Sequence, residues 1–150
     1  MKRVVITSMG IYSCIGKNLD EVRSSLYNGT SGIGIDPARK ELCYFSSLTG
    51  ILERPNLKGL LDRRNRNYLA EQGEYAYMAS IEAFRNAGID EAFFEKNNVG
   101  ILFGNDSSAA PALNAVDMIR EKKKPALVGP GSVFQSMDYP VTLTLSGIFK

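Results

Sequence analysis

Two short apolar runs, Val4–Thr7 (VVIT) and Val99–Phe103 (VGILF), constrain this chain most, because each ends in a glycine-bearing turn and gives way to a helical pattern. Such runs read as buried strands. After the first, Gly10 and Gly16 bracket a turn, and Asn18 with Glu21 forms a capping pair. Leu19, Val22 and Leu26 then recur at helical spacing until Gly29, a left-handed stop. Between the two runs a long helix is expected, capped by Asp62, reaching about Asn86 and closed by Gly88. Leu69, Gly73, Ala76, Ser80, Ala83 and Ala87 share one of its faces, and this lack of bulk lets another backbone or helix approach closely. The second run leads through Asn105–Ser108 into a helix from about Ala109 to Lys123, with Ser107 or Ser108 as cap and Pro111 in the first turn. Strands alternating with helices point to an α/β class.

Two regions stay open. Residues 30 to 61 are irregular, with 31–36 and 48–52 readable as short strands or extended loops. In the last twenty residues Val141, Leu143 and Leu145 alternate as in a strand, whereas Val133, Met137, Val141, Leu145 and Ile148 recur as on a helix that Pro140 would kink.

With 150 residues the chain amounts to one domain at most, and its net charge of +2 favours no class of partner. No apolar run approaches the ~20 residues that span a bilayer, and no h-region follows Lys2 and Arg3. Two cysteines without a secretion signal are expected reduced, in a cytoplasm. The sequence contains no histidine, so no Ser-His-Asp or Cys-His pair can be assembled within it.

The candidate sites each have a plainer reading beside them. The glycines of the opening turn stand six apart, unlike a dinucleotide fingerprint, and Cys14 has no local base, so a packed thiol is expected. Asn105, Asp106 and Ser107 can meet a ligand, but they also make an ordinary Asx turn and cap. Arg63, Arg64 and Arg66 lie just inside a helix start, where the dipole disfavours cations; this hints at an anionic partner, against a solvated basic turn. Lys122–Lys124 close a helix, where the dipole favours them.

Four blocks in order carry a family resemblance: RVVITSMGIYSCIGKNLDEVRSSLYNGTSGI, LLDRRNRNYLAEQGEYAYMASIEAFRNAGI, VGILFGNDSS, and VGPGSVFQSM through IFK. Together they resemble the N-terminal part of an elongating β-ketoacyl-acyl-carrier-protein synthase, and the match covers essentially all of residues 1–150. The resemblance implies an incomplete N-terminal half of a thiolase-like α/β fold, a mixed sheet with packed helices. In it the opening glycine turn is scaffold. It implies a decarboxylative Claisen condensation in fatty acid or polyketide synthesis, with no cofactor and no metal. The family's nucleophilic cysteine falls beyond residue 150 and its two catalytic histidines have no counterpart here, so no catalytic residue is assigned and this chain is expected to be inactive alone.

What the resemblance leaves to this chain is accessory. Arg63 and Arg64 match positions that dock an acidic acyl carrier protein, Arg66 stands beside a further such position at Asn67, and Lys123 and Lys124 lie near another docking region. Leu113 and Val133 match the lining of the acyl channel near the dimer interface, or are packed core. A homo-oligomer or association with a full-length synthase is expected, and neither nucleic acid nor a membrane span. Two other readings stand beside this one: a non-catalytic partner of an intact synthase or carrier protein, and a small α/β ligand-binding module.

Overall fold

The computed structural model describes residues 3–104, 109–137 and 140–150. Asn105–Ser108, the turn in which a ligand contact or a cap was expected, lies outside the described residues, as does Tyr139. The chain divides into two compact units, residues 1–55 with 78–89, and residues 56–77 with 90–150.

In the first unit, helix α1 (Leu19–Asn28) begins and ends as its caps dictate. The Asn18 side chain accepts from the Glu21 amide, and Gly29 at φ 63° returns its own N–H to the carbonyls of Leu26 and Ser25. Glu21 reaches back to the amide of Lys17 at 2.7 Å, one residue earlier than in a capping box. The two open stretches pair as an antiparallel hairpin, β1 (Ile33–Ile35) with β2 (Leu48–Gly50), in the register Ile33 to Gly50 and Ile35 to Leu48. Between them a short helix, α2 (Pro37–Glu41), starts on the Asp36 carboxylate and a proline in its first turn.

The small-residue face of helix α4 (Glu71–Ala87) does what its lack of bulk allows. The opening segment crosses it so closely that a methyl on Gly10 would collide with the Ala79 carbonyl and the Ala83 amide. Ser8 donates to the Ala83 carbonyl at 2.6 Å. Glu82, a buried carboxylate on the same helix, accepts from the amides of Ile11 at 2.9 Å and Leu19 at 2.8 Å. One side chain thus satisfies backbone donors at both ends of the glycine turn, where no ladder could reach them. Cys14 is half-buried inside that turn, packed against Gly32 and Gly50 as a small apolar group.

The expected strand at Val4–Thr7 does not form a ladder. Residues 3–7 are unpaired and Val4 is 90% exposed. Val99–Phe103 behaves alike, unpaired with Leu102 96% exposed. A strand exists only with a partner, and the only sheet among the described residues is the β1–β2 hairpin.

The long helix expected from Asp62 is two helices, α3 (Arg63–Tyr68), in the second unit, and α4, of which residues 71–77 belong to that unit. Asp62 caps α3 through the Asn65 amide, but Leu69 turns to ψ 123° and ends it. Leu69 and Ala70 are buried there, Leu69 only 1% exposed. Gly73 makes room for the turned-back side chain, since a methyl on it would stand 2.8 Å from Leu69 Cδ2. Helix α5 (Glu91–Lys96) starts on Asp90, and α6 (Ala110–Lys122) follows, ending at Lys123 with φ 51°. After a 3-10 turn at Pro125–Leu127 come α7 (Pro130–Gln135) and α8 (Pro140–Ile148). The tail is therefore helical, and Pro140 opens a helix instead of kinking one. Val141 and Leu145 carry its buried side, and Tyr77 stacks on Phe149 at 5.8 Å.

Candidate functional site

Helix α3 builds one wall of a cleft in the second unit. At helical spacing Arg63 lies one turn from Asn67 and Arg64 one turn from Tyr68, and all four line a cleft of about 590 Å³. The opposite wall is Gly129–Ser132 and Gln135, the start and one face of α7. Among the described residues no carboxylate lines this cleft, while two guanidinium groups do. The nearest acid in sequence, Asp62, is engaged on its own helix, accepting from the Asn65 amide at 2.8 Å and side chain at 3.0 Å.

The two walls are joined at their base. Gln135 Nε2 donates to the carbonyls of Asn67 at 3.0 Å and Leu69 at 2.9 Å, two acceptors near the break between α3 and α4. Gly131 comes close from the same side, where a methyl would stand 2.7 Å from the Asn67 oxygen. Tyr68 meets Phe134 edge to face at 5.1 Å.

The other expected site residues are placed differently. Arg66 turns its Nε toward the Asp62 carbonyl at 3.4 Å and does not line the cleft. Lys123 and Lys124, exposed at the end of α6, are not part of the cleft either. Leu113 on α6 and Val133 on α7 sit on helices that pack together, yet both side chains are largely exposed and neither lines the cleft of Arg63 and Arg64. A second cleft of about 380 Å³ is mainly apolar, taking Phe94, Val99, Ile101 and Phe149 into its walls. Among the described residues no cluster of acids and cysteines is arranged to hold a metal, and no helix is long and apolar enough to cross a membrane.

Of the basic residues singled out in the sequence, Arg63 and Arg64 line the cleft, and the wall facing them was not anticipated. Asn67 was named through the resemblance, and Tyr68 was reachable from the one-turn spacing behind Arg64. Ser132 and Gln135 carried only an indirect signal, the Gly-Pro-Gly start of a helix.

Residues 1–139 match the family model described as "Beta-ketoacyl synthase, N-terminal domain". This chain belongs to the β-ketoacyl synthase family. It is 32% identical over 152 aligned residues to 3-oxoacyl-[acyl-carrier-protein] synthase 1 of Buchnera aphidicola (subsp. Schizaphis graminum), covering 100% of this chain and 37% of that protein. The synthase 1 of Haemophilus influenzae is likewise 32% identical over 151 residues, with the same coverage. Among solved structures, a β-ketoacyl synthase from Burkholderia phymatum superposes with a TM-score of 0.81 at 24% identity, over 99% of this chain and 37% of the other. The ishigamide ketosynthase/chain length factor gives 0.75 at 15% identity, over 97% and 36%. At these identities the superpositions speak for the fold, which is that of the N-terminal part of a thiolase-like β-ketoacyl synthase. The chain spans just over a third of the length of the relatives it matches.

Proposed function

We propose that residues 1–150 are one N-terminal portion of a β-ketoacyl synthase domain, providing scaffold and a docking surface for an acidic acyl carrier protein. The observation that carries this reading is the pairing of Arg63 and Arg64 at a cleft that no carboxylate among the described residues lines. Two adjacent cations at the start of a helix oppose the dipole, and an incoming anionic surface offsets that cost. The relatives supply the partner class, since each is a 3-oxoacyl-[acyl-carrier-protein] synthase. Arg66, Lys123 and Lys124, outside the cleft, add steering charges that speed encounter and add little to lifetime.

The parent activity is acyl transfer followed by decarboxylative carbon–carbon bond formation. These 150 residues hold no histidine to act as base or to stabilise an enolate, so the segment alone docks without condensing. Leu113 and Val133 are proposed to line the acyl channel where further protein covers their exposed faces. The same exposed faces favour a homo-oligomer or a complex with a longer synthase.

Charge reversal tests the docking. Arg63→Glu with Arg64→Glu is expected to weaken binding to an acyl carrier protein at least tenfold in low salt, measured by titration calorimetry. Unchanged affinity for the double variant would dismiss the reading.

A further inference from the structure

From the way the cleft's walls are tied together, we infer that Gln135 is a positioning residue for the arginine site, an inference that rests on the docking reading above. Its side chain contributes no charge. Its amide donates to two carbonyls, Asn67 and Leu69, on either side of the residue at which α3 ends. In a continuous helix the amides four residues on would take those carbonyls. The break at Leu69 takes that pairing away, and Gln135 replaces it from the other wall.

The replacement also fixes geometry. Gln135 is the last residue of α7, and Gly131, one turn earlier, lies against the Asn67 oxygen with no room for a methyl. Two points of α7 one turn apart thus meet the same end of α3, with the Tyr68–Phe134 ring contact beside them. Three contacts at one end of a six-residue helix set its distance and rotation against the facing wall. Arg63 and Arg64 ride on that helix, so their spacing from Gly129–Ser132 follows from the Gln135 tie. An exposed guanidinium recognises an anion only where its fork is aimed, which makes orientation part of affinity.

The test uses the 150-residue chain and an acyl carrier protein as probe. Gln135→Leu keeps a neutral side chain of comparable bulk and loses the donors, so it is expected to weaken carrier binding about fivefold while the salt dependence keeps its slope, because no charge has changed. Gln135→Lys, whose ammonium can donate to the same two carbonyls but adds a charge, is expected to restore the affinity relative to the parent even at high salt, where the added charge is screened. A rescue seen in low salt that vanishes at high salt would come from the added charge alone and overturn the inference. Gly131→Ala, which pushes on the Asn67 oxygen, is expected to reproduce the Leu phenotype and decides the matter should Gln135→Leu fail to fold. If Arg63→Glu with Arg64→Glu weakens binding while Gln135→Leu and Gly131→Ala bind like the parent, the tie is irrelevant and only this inference falls. If the arginine double variant itself binds like the parent, the docking reading falls first.

Discussion

Gly10 faces a helix backbone, and the space for its missing side chain is already taken by Ala79 and Ala83. Gly10→Ala is expected to cost about 2–3 kcal/mol, as over-packing against an unyielding backbone does, read as a lower denaturant midpoint. Glu82 works at the same crossing from the other side. Glu82→Ala strands the amides of Ile11 and Leu19, and hydrogen bonds to an ionised acceptor are worth roughly 1.5–3 kcal/mol each, so a loss of about 3 kcal/mol is expected. Tyr77 gives a pH signature. Burial raises its pKa above the ordinary phenol value, so the folded state holds the proton more tightly than the unfolded chain. That stabilisation is complete below the unfolded pKa of about 10 and is lost as pH climbs through the folded value. Tyr77→Phe should remove this part of the alkaline loss of stability while leaving the melt at pH 7 nearly in place.

At the scale of elements, local chemistry settles the ends of helices and distant chemistry settles their continuity. Asn18, Asp62, Gly29 and Gly88 were legible because a cap acts within a few residues of itself. Asn18→Ala is expected to cost about 1 kcal/mol of stability, measured by thermal melting, because the Glu21 amide loses its acceptor. The break after α3 was not legible: it needs a glycine at 73 to admit Leu69 and a glutamine 66 residues beyond Leu69 to take its carbonyl. Helices α2 and α5 were missed because each is too short to show an apolar period, although Asp36 and Asp90 announce them. The apolar runs at 4–7 and 99–103 were legible as strand-forming sequence but not as strands, since pairing is a property of two segments. Their amides are therefore expected to exchange with solvent far faster than those of α4 between residues 76 and 84, as hydrogen exchange would show.

For the molecule as a whole, composition and family point the same way. Large apolar side chains such as Val4, Ile6, Phe45 and Leu102 stand in solvent in a chain spanning just over a third of its relatives. Apolar surface of this kind drives association, so sedimentation of the isolated chain should show mass rising with concentration. The site divides in the same manner as the fold: the arginine wall was visible in a six-residue stretch, and the wall opposite it became visible only when the tail proved helical. The function proposed above is that this segment receives a carrier protein and performs no chemistry upon it. One incubation of the purified chain with acyl-loaded and malonyl-loaded carrier protein, followed by mass spectrometry of the carrier, tests this directly. Both thioesters should return unchanged, with no β-ketoacyl product and no acyl group on Cys14 or Cys43; a carrier bearing the condensed β-ketoacyl chain would contradict the account.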